Sequence, residues 1–91
     1  MNFKWKKSAN LRVGQRLFGI IGVSSATYDG VYPITLDYID WNEERLIFVI
    51  DQPCHMVSCT FHDAKYYVFE SEAEAEDKKS TLEWGVGMYA Y

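Results

Sequence analysis

The residues Leu46-Ile47-Phe48-Val49-Ile50 form an unbroken apolar run between Arg45 and Asp51. An apolar run of this length without alternation is typical of a strand that is buried on both faces. We therefore predict that residues 45–51 form a central strand of a β-sheet. The preceding Asn42-Glu43-Glu44 predicts a polar hairpin loop that joins this strand to the one before it.

Alternating apolar and polar residues predict further strands on both sides of the central one. Short polar or glycine-containing segments separate them, as expected for a chain that turns back on itself. The predicted strands are residues 11–23, 31–41, 45–51, 56–61, 65–69 and 82–90.

Before the last of these strands the pattern changes to that of a short helix. Ser71, with Glu74 three residues later, fits a capping box. Acidic residues fill the early turns and Lys78 and Lys79 stand near the end, and both placements suit the helix dipole. We predict a helix of about eight to ten residues that covers the sheet with little more than Ala73 and Ala75.

The resulting order β-β-β-β-β-α-β predicts a mainly β (α+β) protein. We expect a small, partly open barrel of five to six antiparallel strands, with one short helix before the last strand. This arrangement is similar to the SH3-like barrels in strand count and strand length, and the comparison rests on those two properties alone. Ninety-one residues provide for one small core, so we predict a single domain over residues 1–91.

The composition is that of a globular protein, with 48% apolar and 24% charged residues. Aromatic residues reach 16% and include seven tyrosines, which suit a thin core and also suit contact surfaces. No apolar run approaches the length of a transmembrane helix. The apolar segment 17–23 follows Arg16 and contains two glycines, which argues against a secretory signal. We therefore expect a cytoplasmic protein that does not bind a membrane.

Charge is distributed unevenly along the chain, although the formal net charge is only −4. Residues 1–28 contain five basic residues and no acidic one, whereas residues 29–91 contain all 13 acidic residues and four basic ones, a net of −9. Such a surface attracts a basic partner and repels a phosphate backbone.

The acidic residues are densest immediately before and within the predicted helix. We predict that this segment binds a basic protein, although acidic helices more often serve only as solvated faces. A surface of this kind can imitate a nucleic-acid backbone and block a basic groove. We therefore expect a non-enzymatic protein-binding module, such as a small acidic inhibitor of a basic nucleic-acid-handling partner, that is a monomer or a weak homodimer. The predicted partner-binding residues are Glu70, Glu72, Glu74, Glu76 and Asp77.

The basic N-terminal part of the chain supports a different hypothesis. Aromatic residues interleaved with lysines can stack on bases and contact phosphates. The same pattern also suits an acidic protein partner or a simple first strand with exposed lysines. The residues of the alternative nucleic-acid-binding site are Lys4, Trp5, Lys6, Lys7, Arg12 and Arg16.

One segment contains residue types that could bind a metal or act in catalysis. Cys54, His55, Cys59, His62 and Asp63 are close in sequence. On one strand, however, Cys54 and Cys59 fall on opposite faces about 16 Å apart, too far for a disulfide, and no second ligand pair exists elsewhere. Cys59 and His55 share a face, but no helix N-terminus or glycine-rich turn accompanies them to form a pocket. We expect no metal, no cofactor and no enzymatic activity.

The cysteine and metal hypotheses are tested by chemical analysis of the purified protein. We expect both thiols to be labelled under denaturing conditions without reductant, as measured by intact mass, because the strand geometry keeps them apart. We also expect elemental analysis to find no stoichiometric metal. Two unlabelled thiols, or one zinc per chain, would contradict these expectations.

Overall fold

The computed structural model describes residues 3–6, 9–24, 27–51 and 55–91. In chain order its strands and helices are β1 (Phe3–Lys6), β2 (Ala9–Leu11), β3 (Arg16–Ile21), β4 (Gly30–Asp40), β5 (Arg45–Ile50), β6 (His55–Thr60), α1 (Ala64–Tyr67), β7 (Val68–Phe69), α2 (Glu72–Lys79) and β8 (Tyr89–Ala90).

The protein is mainly β, as predicted, and is built on a six-stranded antiparallel sheet with the order β7-β3-β4-β5-β6-β8. Strands β1 and β2 form a separate antiparallel pair. Strand β5, formed by the unbroken apolar run, lies between β4 and β6, and Phe48 is opposite Leu36 on one side and Val57 on the other. The prediction of a central strand at this position is confirmed.

The six-stranded sheet is not closed, so the predicted barrel is not confirmed. Its two ends are the two-residue strands β7 and β8. A single parallel bridge nevertheless joins Met88, just before β8, to Ile21 at the end of β3. Here the Met88 N–H donates to the Ile20 carbonyl at 2.9 Å, and the Gly22 N–H donates to the Met88 carbonyl at 2.7 Å.

Strand β3 is buried on both of its faces, because successive side chains of a strand point in opposite directions. Leu17 and Ile21 belong to the main core, which also contains Phe48. Ile20 belongs to a second cluster, in which helix α2 contributes Ala75. Helix α2 contacts β3, β4 and β7, so it covers the face of the sheet that is turned away from the main core.

The predicted strand over residues 11–23 is wrong in its first half. Two hydrogen bonds close a turn between Arg12 and Gln15: the Gln15 N–H donates to the Arg12 carbonyl at 3.0 Å, and the Arg12 N–H donates to the Gln15 side chain at 3.1 Å. This turn separates β2 from β3. The Leu36 N–H on β4 donates to the Gln15 carbonyl at 3.0 Å, so the turn is attached to an inner strand of the main sheet.

The predicted strands over residues 65–69 and 82–90 are also largely wrong. Residues Ala64–Tyr67 form one helical turn whose Ala64 is fully buried, and only Val68–Phe69 are extended. In the last segment only Tyr89–Ala90 form a strand. Gly85 adopts a φ of +88°, a left-handed conformation that breaks an extended chain and is open mainly to glycine.

Helix α2, with eight residues, is the longest helix in the described part of the chain. No helix there combines the length and apolar character needed to cross a bilayer.

Replacing Phe48 by Ala is expected to lower the free energy of unfolding by about 3 to 5 kcal/mol, and Ile47 to Ala by about 2 to 5 kcal/mol. Both side chains are buried, with 0% and 1% exposure, and their loss leaves cavities in a small core. Denaturant melts measure the change, with Val13→Ala as the control because Val13 is 60% exposed. Core variants as stable as this control would contradict the central position of β5.

Candidate functional site

The acidic segment predicted to bind a partner is carried by helix α2 and the residue that precedes its cap. Ser71 caps the helix: its side-chain oxygen accepts the Glu74 N–H at 3.2 Å, and its hydroxyl lies 3.2 Å from the Glu74 carboxylate, to which it donates. The cap satisfies one of the free N–H groups of the first turn and fixes where the helix starts. The helix predicted from the sequence is therefore present.

All five predicted contact residues on this segment are exposed, and we call them the acidic helix surface: Glu70, Glu72, Glu74, Glu76 and Asp77. No ion pair to any of them occurs within the residues that the structure describes. Ala75 is fully buried against the sheet, whereas Ala73 is exposed, contrary to prediction. Residues two apart on a helix differ by about 200° around its axis, so only one of these two alanines can face the sheet.

A buried ion pair fixes the end of α2. The Lys79 ammonium lies 2.7 Å from the Asp29 carboxylate, and the two side chains are only 14% and 7% exposed. The same carboxylate oxygen accepts the Gly85 N–H at 2.8 Å. One carboxylate thus connects the helix, the turn before β4 and the loop before β8.

Four residues at or next to this connection have exposed apolar side chains, and we call them the Gly85 patch: Val23, Tyr28, Trp84 and Tyr89. Trp84 adjoins Gly85, and Tyr28 adjoins Asp29, whose carboxylate binds the Gly85 N–H. The Tyr89 hydroxyl donates to the Gly85 carbonyl at 2.6 Å. The patterns in the sequence do not predict this patch. The available sequence signal for such a patch is an aromatic residue that directly precedes a turn-forming Asp-Gly pair or an isolated glycine.

The basic residues of the alternative site are divided among several elements. Lys4, Trp5 and Lys6 lie in β1, and Lys7 lies outside the described residues. Arg12 is exposed in the turn that follows β2. Arg16 begins β3 and forms an ion pair with Asp51 at 2.5 Å, so part of its charge is already compensated.

Among the described residues of the segment rich in Cys and His, Cys59 and His55 do not pair as a nucleophile and its base. Cys59 is a buried free thiol, and burial raises its pKa to about 12, with the Asp63 carboxylate as a smaller contribution. His55 lies at the other end of the same strand, four residues away, which places it roughly 13 Å along the strand. A thiol with this pKa stays protonated at neutral pH.

The other described residues of that segment are not gathered into a ligand set. Cys54 lies outside the described residues, and His62 is exposed, with its ring against Tyr66 at 5.9 Å between centroids. Nowhere in residues 3–6, 9–24, 27–51 and 55–91 do three or more His, Cys, Asp or Glu side chains come together as a metal site would require.

A cavity of about 350 Å³ opens beside Cys59 and is lined by Arg45, Asp63 and Tyr67. The Arg45 guanidinium donates to the Ser58 hydroxyl at 3.1 Å. Burial raises the pKa of Tyr67, and the nearby Asp63 carboxylate adds to the effect. The raised pKa keeps the Tyr67 hydroxyl protonated at neutral pH.

Comparison of the chain with protein-family models, with curated proteins and with solved structures finds no match in any of the three.

Replacing Lys79 by Met is expected to destabilise the protein by about 3 kcal/mol, because it leaves the buried Asp29 carboxylate without a counter-charge. Denaturant melts measure the loss. Lys78→Met is the matched control, because the Lys78 ammonium lies over the Tyr66 ring at 5.6 Å and forms no ion pair in the described part of the chain, and its loss should cost about 1 kcal/mol or less.

The double variant Asp29→Asn with Lys79→Met should be more stable than Lys79→Met alone, because it also removes the uncompensated charge. Equal stability of Lys79→Met and Lys78→Met would contradict the structural importance of the ion pair.

Proposed function

We propose that this protein is a non-enzymatic binding module whose acidic helix surface contacts a basic protein. We also propose that the protein acts as a small acidic inhibitor of a partner that handles nucleic acids. The supporting observation is the exposure of all five carboxylates on and beside one rigidly docked helix, with no described base paired to them. Unpaired carboxylates on a fixed element retain their charge for a partner and bind it with little reorganisation.

The docking of α2 supports the proposal because it keeps the acidic residues on the outside. The buried Ala75 and the ion pair between Lys79 and Asp29 attach the helix to the molecule. The attachment uses neither Glu72 nor Glu76, so these side chains are available for contact. A helix that used its acids for internal ion pairs would not support the same proposal.

The scaffold in this proposal is a partly open barrel of the SH3-like type. The parallel bridge between Met88 and Ile21 supports it, because the segment ending in β8 then contacts β3 as well as β6. We further propose that the protein acts in the cytoplasm as a monomer or weak homodimer.

The test is affinity capture from the native host with and without nuclease treatment, followed by kinetics with the purified partner. The variant Glu72→Lys, Glu74→Lys, Glu76→Lys should associate about tenfold more slowly or worse at low salt, since like charges then face each other. Raising the salt concentration should reduce the difference. The fold should be unchanged by circular dichroism, because the three side chains are exposed.

The matched control reverses three exposed acids elsewhere, Asp37→Lys, Glu43→Lys and Glu44→Lys, and so changes the net charge equally. If both triple variants slow association to the same degree, only the net charge matters and the helix is not the contact. A different result would favour the nucleic-acid hypothesis over the proposed protein contact. In that case the wild type binds short DNA or RNA at about physiological salt, and the triple variant Lys4→Ala, Lys6→Ala, Lys7→Ala does not.

A further inference from the structure

The Gly85 patch contains three aromatic side chains that are largely exposed and that the core does not bury. Tyr28 is 81% exposed, Trp84 77% and Tyr89 55%. Burial of Trp84 therefore contributes little hydrophobic stabilisation to the free protein. Clustered exposed aromatic residues mark interaction sites in soluble proteins, whereas isolated ones are ordinary. Trp and Tyr are also the residues that contribute most to binding energy at protein interfaces.

Hydrogen bonds and close packing hold Tyr89 and the backbone around Gly85, on which the patch is built, in fixed positions. The Gly85 N–H and carbonyl bind the Asp29 carboxylate and the Tyr89 hydroxyl. Gly22 packs so closely that a Cβ there would lie 2.6 Å from the Gly85 carbonyl oxygen and 2.8 Å from the Tyr89 ring. Val23 follows Gly22 directly. A patch that is ordered before binding loses less conformational entropy when it binds.

The charges around the patch select a cationic ligand. Glu83 precedes Trp84 in the sequence and is exposed. It follows the end of α2, where Glu76 and Asp77 add two more carboxylates. The base nearest to the patch, Lys79, is buried and neutralised by Asp29. Aromatic faces beside carboxylates attract a guanidinium group, which stacks on the ring and donates paired hydrogen bonds to the carboxylate.

We propose that the Gly85 patch binds arginine side chains of a basic partner protein, with Trp84 and Tyr28 as the aromatic contacts and Glu83 as the anion. This inference rests on the proposed function, and it adds the part of the interface that holds the partner after the acidic helix surface has attracted it. Long-range charge acts mainly on association, whereas desolvated aromatic contacts act mainly on dissociation.

The experiment titrates the full ¹⁵N-labelled chain with a capped peptide of alternating Gly and Arg. The readouts are the indole N–H signal of Trp84, assigned by its absence in Trp84→Phe, and the backbone amides of α2. A peptide in which citrulline replaces each arginine has the same shape without the charge. We expect a saturable shift at Trp84 with the arginine peptide and none with the citrulline peptide.

Trp84→Ala should weaken binding of the arginine peptide about two- to fivefold, the range of an exposed cation–π contact. Tyr38→Ala is the matched control: Tyr38 is 55% exposed and lies on β4 eight residues from Gly30, roughly 26 Å along the strand. It should leave the affinity unchanged. Trp84 makes no hydrogen bond in the described part of the chain, so the variant is expected to fold.

The outcomes separate this inference from the proposed function. Shifts in α2 without a shift at Trp84 overturn the arginine site and leave the acidic helix surface as the contact. A shift at Trp84 without one in α2 supports the arginine site and counts against the helix. Equal shifts with the citrulline peptide, or no shift at Trp84 with either peptide, overturn the inference. A shift at Trp84 caused only by a single-stranded oligonucleotide overturns it in favour of base stacking.

Discussion

The ion pair between Lys79 and Asp29 joins parts of the chain that are 50 residues apart in sequence. It is nearly inaccessible to solvent, so its two charges have lost most of their hydration and depend on each other. The Asp29 carboxylate also accepts the Gly85 N–H. One side chain therefore sets the position of the helix end, of the turn before β4 and of the loop that bears Trp84. Both proposed contact surfaces depend on this arrangement.

Strand β3 is the second element on which the architecture depends. Leu17 and Ile21 enter the main core, whereas Ile20 on the other face packs against Ala75 of α2. The helix is short and strongly polar, so it could not be stable without this contact and its Ser71 cap. Attachment through Ala75 and the Lys79–Asp29 ion pair leaves the acidic residues of the helix exposed to solvent.

The extended geometry of β6 argues against the Cys–His nucleophile that was a hypothesis from the sequence. Cys59 and His55 lie on the same face of the strand because they are an even number of residues apart. They are four residues apart, however, and in an extended chain this distance is too long for contact. Burial then keeps the Cys59 thiol protonated.

The sequence by itself determined the elements whose signals are local. The unbroken apolar run at residues 46–50 defined the central strand, and Ser71 with Glu74 defined the start of α2. Only the tertiary structure decided that Ala64–Tyr67 are helical and that residues 82–88 are irregular. Apolar alternation alone could not show that Ala64 enters the core as part of a helical turn, or that Gly85 binds Asp29, because these partners are distant in sequence. Alternation fixes which side chains share a face only if the chain stays extended, and long-range hydrogen bonds decide whether it does.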